Sequence, residues 1–261
     1  MNVLVEKNDG VARVTLNRPE VRNAFDDSLI AALTDVFTQL DKDNTVRVML
    51  LAGNGPAFCA GADLNWMKRI AGYSYDENVR DAGALASMLA TLDRMAKPTI
   101  ARVHGPAFAG GTGLVAACDI AIGAPEAKFC FSEAKLGLSP ATISPYVIRA
   151  IGERAARRYF LSAEVFGGEE AYRIGLLSAL VQAEELDAHI DAILKHLLAG
   201  ASEAHGKIKD LVRAVARRPI DDVLKDETAR RIAEIRASPE GREGIASFLE
   251  KRKPRWPSGK S

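Results

Sequence analysis

The 261-residue chain is poor in cysteine and histidine and carries no excess of charge of either sign. Its three cysteines, Cys59, Cys118 and Cys130, are an odd number and form no Cys-x-x-Cys pair. That excludes a disulfide framework and a thiolate zinc module. The histidines His104, His189, His196 and His205 offer no His-Glu-x-x-His or equivalent spacing, so no metal is expected. Thirty-five Lys and Arg against 34 Asp and Glu leave a formal charge of +1. Without a basic excess there is no general attraction to nucleic acid or to an anionic membrane. Long apolar runs are lacking too: Leu114 to Cys118 stops at Asp119, far short of the roughly 20 residues that cross a bilayer. The first twenty residues carry acids and bases throughout, with no apolar core of a signal peptide. Together these absences predict a cytoplasmic protein with reduced thiols, no nucleic-acid partner and no membrane partner.

What is present is ordinary globular material, 48% hydrophobic and 26% charged, in a chain long enough to bury a substantial core. The first two-thirds alternates short β-rich runs with amphipathic ones, the pattern of parallel strands joined by helices. Strands are predicted at Val11 to Leu16, Val46 to Leu51, Thr99 to Val103, Asp119 to Ile122 and Lys128 to Phe131. Helices are predicted at Ser28 to Leu40, with Asp26 or Asp27 as N-cap, and at Asn78 to Met95. Such strands should be covered by helices on both faces. From Ser144-Pro145, which has the form of an N-cap followed by proline at the first helical position, helices dominate. Four are expected around 169–174, 184–198, 202–215 and 220–237, then a last one near 242–250. The basic, proline-interrupted tail from Lys251 should leave the globule.

Three segments are candidates for chemistry. In Phe58-Cys-Ala-Gly-Ala-Asp-Leu64 small residues let a ligand approach the main chain just before a helix start, although an ordinary strand-to-helix turn has the same composition. His104-Gly-Pro-Ala-Phe-Ala-Gly-Gly-Thr-Gly-Leu114 resembles a P-loop but has Gly111 where the lysine is required, and it does not fit Gly-x-Gly-x-x-Gly. It remains a second glycine-rich loop that offers backbone N–H donors. Two such loops could bind one developing oxyanion, a contribution of roughly 3 to 4 kcal/mol per donor. In Ser132-Glu133-Ala-Lys-Leu-Gly-Leu138, Glu133 follows a predicted strand; it is either a solvated surface charge or a carboxylate raised by desolvation for acid/base work. Ser132 and Ser144 lack a Gly-x-Ser-x-Gly elbow, which disfavours a serine hydrolase.

In this order the segments resemble the crotonase (enoyl-CoA hydratase/isomerase) superfamily. The resemblance runs from Leu16-Asn-Arg-Pro-Glu-Val-Arg-Asn-Ala-Phe25 through Phe58 to Asp63 and Ala109 to Asp119, and ends at Phe248-Leu-Glu-Lys-Arg-Lys253. The finer match, Ala62-Asp-Leu-Asn-Trp-Met67 with Gly137 to Gly152, is similar to bacterial methylglutaconyl-CoA and carboxygeranoyl-CoA hydratases. The resemblance implies an α/β fold, a crotonase-type spiral of ββα units over residues 1–195, and a helical C-terminal oligomerisation region over 196–261. It implies an enzyme acting on an acyl-CoA thioester, with no cofactor beyond the coenzyme A of the substrate. By the same resemblance the thioester oxyanion lies between the N–H groups of Ala62 and Gly110, and Glu133 exchanges the proton at the α-carbon. Arg22, Ala60, Asp63, Leu64, Gly113 and Lys251 are the implied substrate and CoA contacts, Lys251 near the adenosine. A homotrimer or a dimer of trimers is the implied assembly.

One departure stands out. Hydratases of the best-known type have a second glutamate where this chain has Gly113, and that glutamate orients the water. A double-bond isomerase needs only one carboxylate. Three functions therefore remain open on the residues: a hydratase of a branched or carboxylated 2-enoyl-CoA, an enoyl-CoA isomerase, and a non-catalytic acyl-CoA binding protein. Arg22, Lys68, Arg69 and Arg149 are all possible partners for a substrate carboxylate or a CoA phosphate.

Overall fold

The structure, a computed structural model, describes residues 1–256. Val3–Asn8 (β1) and Val11–Leu16 (β2) form an antiparallel hairpin whose two-residue turn, Asp9-Gly10, holds both residues at positive φ (47° and 82°). Asp-Gly is the dipeptide such a turn favours. Asp27–Lys42 (α1) follows, its first turn closed by the Asp26 carboxylate, which accepts from Leu29 N–H at 2.7 Å. Of the two candidate caps, Asp26 serves.

Val48–Gly53 (β3) explains the layering. Its alternate residues Met49 and Leu51 belong to one core cluster and Val48 and Leu50 to the other, so the strand is buried on both faces. The first face receives Leu29, Leu33, Phe37 and Leu40 of α1, together with Met88, Leu89 and Leu92 of the longer helix described below. The opposite face receives Leu186, Ile190 and Leu194. Each such fully buried aliphatic side chain contributes on the order of 1.5–3 kcal/mol.

The chain continues through Leu64–Ile70 (α2) and Tyr75–Arg94 (α3), the latter opened by a reciprocal capping box between Ser74 and Glu77. Next come Thr99–Val103 (β4), Ala107–Phe108 (β5), Gly110–Ala117 (α4), Ile120–Gly123 (β6) and Lys128–Cys130 (β7). Ser144–Ser162 (α5), Phe166–Gly167 (β8), Gly168–Arg173 (α6), Ala179–Leu180 (β9) and Leu186–Ala199 (α7) lead into Ser202–Val215 (α8), Asp222–Ala237 (α9) and Pro239–Leu249 (α10). One sheet runs β1-β2-β3-β4-β6-β9 and is parallel from β2 onward; a second, small one runs β5-β7-β8.

Two expectations need correction. Ser144 is not an N-cap: the turn before it already winds into α5, its hydroxyl donates back to Ala141 O at 2.8 Å, and Ile143 occupies the cap position. Nor does the whole tail leave the globule. Trp256 Nε1 donates to Ala199 O at 3.0 Å, and its ring lies against Gly244, because a large apolar ring is better buried than solvated. Residues 257–261, the rest of that expectation, lie outside the described ones. Among the described residues no helix is long and apolar enough to cross a membrane.

Candidate active site

The two small-residue loops are stitched together by main-chain pairing. Cys59 N–H donates to Pro106 O at 3.1 Å, and Phe108 N–H donates back to Cys59 O at 2.9 Å. Gly61 sits against Phe108 and Ala109 at φ +91°, a conformation that side-chain-bearing residues avoid; its missing Cβ would lie 3.3 Å from Ala109 Cβ. At Gly111 the clearance is smaller still, 2.3 Å to Cys59 O. Small residues in both loops are thus required for the loops to touch.

Ala62 is flanked by hydrogen bonds that leave its own amide free. Phe25 N–H donates to Gly61 O at 2.6 Å, and Asp63 N–H donates to Phe25 O at 2.8 Å. Asp63 then caps α2 through the N–H groups of Asn65 and Trp66. Its carboxylate also meets Arg18, at 3.1 Å, whose guanidinium reaches Asp26 at 3.0 Å and Ala24 O at 2.6 Å. Burial pushes the Asp63 carboxyl up, but the Asn65 and Trp66 amides and then Arg18 outweigh it and hold it below the usual carboxylate range.

Gly110 opens α4, and the first-turn amides of a helix have no carbonyl four residues back. Ala109, before it, adopts φ 46°, ψ −116°, and its N–H is spent on Cys130 O at 2.8 Å. Among the described residues neither the Ala62 nor the Gly110 N–H donates to protein.

That Ala109 to Cys130 bond also brings in the third segment. After β7 and the buried Phe131 the chain tightens into a 3-10 turn, Ser132–Leu136, ended by Gly137 in the left-handed region. Phe131 is held edge-on to Phe160 of α5 at 4.8 Å. Glu133 is the second residue of this turn, and its Oε2 is buried without a hydrogen-bond partner. Burial raises its carboxyl above the ordinary value; its own backbone N–H offsets only part of that. An unpartnered buried carboxylate oxygen costs stability and calls for an explanation. Carboxylates in such an environment are candidates for acid/base work.

The remaining named positions fall as follows. Gly113 is buried on α4, where a Cβ would meet Ile143 Cγ2 at 2.4 Å and Leu89 Cδ1 at 3.7 Å. Ala60 donates its N–H to Arg22 O at 2.9 Å, and Arg22 itself is left-handed at φ 53°. Leu64 is 74% exposed at the start of α2. Lys251 is exposed just beyond α10 at φ 51°. Arg69 pairs with Asp27, and Arg149 with Asp93. Phe25 was not singled out from sequence; only its contacts with both loops reveal it. A cavity of about 630 Å³ lies elsewhere, between α4, α5 and α8, where Asp119 pairs with Lys209. Its lining includes none of Ala62, Gly110 and Glu133.

The structure thus offers two touching loops with free amides at Ala62 and Gly110 and a desolvated carboxylate at Glu133. Free amides of this kind can stabilise negative charge on a carbonyl oxygen, and a desolvated carboxylate can take or give a proton. The enoyl-CoA hydratase/isomerase family model matches residues 6–259. The chain is 32% identical to the crotonyl-CoA hydratase of Syntrophomonas wolfei over 97% of this chain and 96% of that one. It is also 32% identical to the 1,2-epoxyphenylacetyl-CoA isomerase of Escherichia coli, over 97% of this chain and 96% of that protein. A crystal structure of an enoyl-CoA hydratase from Shewanella pealeana superposes with a TM-score of 0.96 at 41% identity, covering 98% of this chain and 96% of that one.

Proposed function

Because the chain belongs to the enoyl-CoA hydratase/isomerase family, a family of enzymes, we propose that it hydrates a 2-enoyl-CoA, with Glu133 as the acid/base and the Ala62 and Gly110 amides as the oxyanion hole. The observation that carries this reading is Glu133 Oε2, buried and unpartnered three residues beyond Cys130, whose carbonyl accepts from Ala109 N–H of the glycine loop. Glu133 as carboxylate takes a proton from water, and the oxygen adds at the β-carbon. The double-bond electrons move to the thioester oxygen, where the two N–H groups hold the enolate. Protonation at the α-carbon, by Glu133 in its acid form, completes the addition.

The acyl group we propose is a branched or carboxylated one, such as the 3-methylglutaconyl group of leucine breakdown. The similarity of Ala62 to Met67 and Gly137 to Gly152 to such hydratases supports it. Arg22, Ala60, Asp63, Leu64, Gly113 and Lys251 are the proposed substrate and CoA contacts, in a cytoplasmic enzyme that uses no separate cofactor. We also propose a homotrimer or a dimer of trimers built through residues 196–261. In that region Phe248 and Leu249 are 82% and 72% exposed, an apolar surface suited to burial against another copy. Sedimentation as a stable monomer at micromolar concentration overturns the assembly.

A second reading is favoured by one specific feature. Position 113 carries no carboxylate, and Ile143 fills the space into which one would project. A single glutamate suffices for an isomerase, which lifts a proton from the α-carbon of a 3-enoyl thioester and returns it at the γ-carbon. Incubation of 2-enoyl, 3-enoyl and 3-methylglutaconyl thioesters in deuterated water separates the two. A hydratase gains one water and places deuterium at the α-carbon; conversion of the 3-enoyl thioester alone, without added water, makes isomerisation the function. Tight binding with no conversion of any thioester sinks both.

A further inference from the structure

We propose that Phe25 is the positioning residue that sets the spacing of the two oxyanion donors, an inference that rests on the placement of those donors at Ala62 and Gly110. Its main chain grips one side: the Phe25 N–H and C=O bond to Gly61 and Asp63, the two neighbours of Ala62, at 2.6 and 2.8 Å. Its side chain seats the other side. The ring edge lies where a Cβ at position 110 would fall, 2.9 Å from Cε2 and 3.1 Å from Cδ2. Phe25 is 1% exposed, so the ring has no solvent into which to turn aside.

One residue therefore touches both loops, with its backbone on the Ala62 loop and its ring under the first residue of α4. Close packing makes such a ring a rigid spacer. The hydrogen bonds of Cys59 to Pro106 and Phe108 also tie the loops together, but they involve neither donor residue. Gly110 is glycine because any larger residue would lift the start of α4 off the Phe25 ring and move its N–H relative to that of Ala62.

The test follows the carbonyl directly. A 2,4-dienoyl-CoA absorbs at longer wavelength when hydrogen bonds draw electron density onto its thioester oxygen, so the red shift on binding reports donor geometry independently of turnover. Phe25→Leu and Phe25→Met should bind acyl-CoA within about threefold of the parent yet lose about 10-fold to 100-fold in kcat, the scale of a sub-ångström to 1 Å misplacement. The red shift should shrink with kcat. Gly110→Ala should show the same loss, and Gly110→Ala combined with Phe25→Leu should recover part of it, because the smaller side chain returns the space the new methyl needs. A Phe25 variant that loses thermal stability while keeping kcat and the red shift overturns the proposal, as does a double variant no better than Gly110→Ala alone. If the parent protein binds the dienoyl thioester with no red shift at all, the oxyanion hole itself is misplaced, and this inference falls with it. Should Phe25→Leu fail to fold, Phe25→Met and the Gly110→Ala pair carry the test.

Discussion

A Cβ at Gly113 would stand 2.4 Å from Ile143 Cγ2, well inside the ~3.5 Å at which unbonded carbons rest. In an open helix, replacing glycine by alanine gains about 1 kcal/mol. Here the clash should win, because overpacking a close-packed site costs about 1–3 kcal/mol. Gly113→Ala should therefore lower the denaturant midpoint, and Gly113→Glu should lower it further without creating a hydratase carboxylate. Gly113→Ala combined with Ile143→Ala should cost less than the two single changes together, because the truncated side chain returns the space the new methyl needs. A Gly113→Ala variant as stable as the parent would show that Ile143 yields freely.

Arg18 offers a different kind of test. Its guanidinium serves two acidic residues, Asp26 and Asp63, and its side chain is only 14% exposed. Removing one partner of a buried pair leaves the other charged and desolvated, so Arg18→Met should cost about 2 to 4 kcal/mol by urea denaturation. The effect depends on pH in a defined sense. The folded value of Asp63 lies below its unfolded one, so its contribution is present at neutral pH and is lost as pH falls through the depressed folded value. Without Arg18 that folded value rises, and acid unfolding should begin at higher pH than in the parent. An unchanged acid limb would mean the two backbone amides alone hold Asp63 ionised.

The thiols should be inert. Burial pushes Cys59 up to about 12 and raises Cys130, whose Sγ lies 3.4 Å from Ala163 O. Only the thiolate reacts with an alkylating agent. At pH 8 the native protein should take up little iodoacetamide at Cys59 and Cys130, whereas the protein in guanidinium should be alkylated at all three cysteines. Fast native labelling of Cys59, read by peptide mass, would mean the loop pair opens.

How far the sequence reached varies by element. Strands such as β4 and helices such as α8 carry enough apolar residues at the right period to be read directly. Edge strand β1 is not visible as a half-buried strand because most of it is exposed and only Val3 is buried, although Asp9-Gly10 before the β-rich run of β2 marks the hairpin. Helix α3 starts at Tyr75, one turn before the expected Asn78, where Ser74 and Glu77 stand at capping-box spacing. Strands of two residues, β5, β8 and β9, have no period to detect. The candidate loops are legible as glycine-rich turns, and the role proposed for Glu133 is suggested only by the resemblance. That Phe25 touches both loops is a tertiary contact between distant residues, which no local pattern encodes.

The role proposed for Glu133 ties activity to stability with opposite signs. Glu133→Gln keeps the shape and removes proton transfer, so kcat should fall by about 10²-fold or more while acyl-CoA affinity changes little. As a base the parent residue must be ionised, so kcat/KM should fall as pH drops through a value displaced upward from the ordinary 4.5 by burial. Stability runs the other way. The folded state holds its proton more tightly than the unfolded one, so the parent loses stability as pH rises from the unfolded carboxyl value through the raised folded one. The neutral glutamine pays no such desolvation cost. Glu133→Gln should therefore melt at higher temperature than the parent at pH 8, and the difference should vanish near pH 4, where both side chains are uncharged. A loss of turnover without this pH-dependent gain would mean that the Glu133 carboxylate is solvated in the resting protein. Unchanged turnover would remove it from the chemistry altogether.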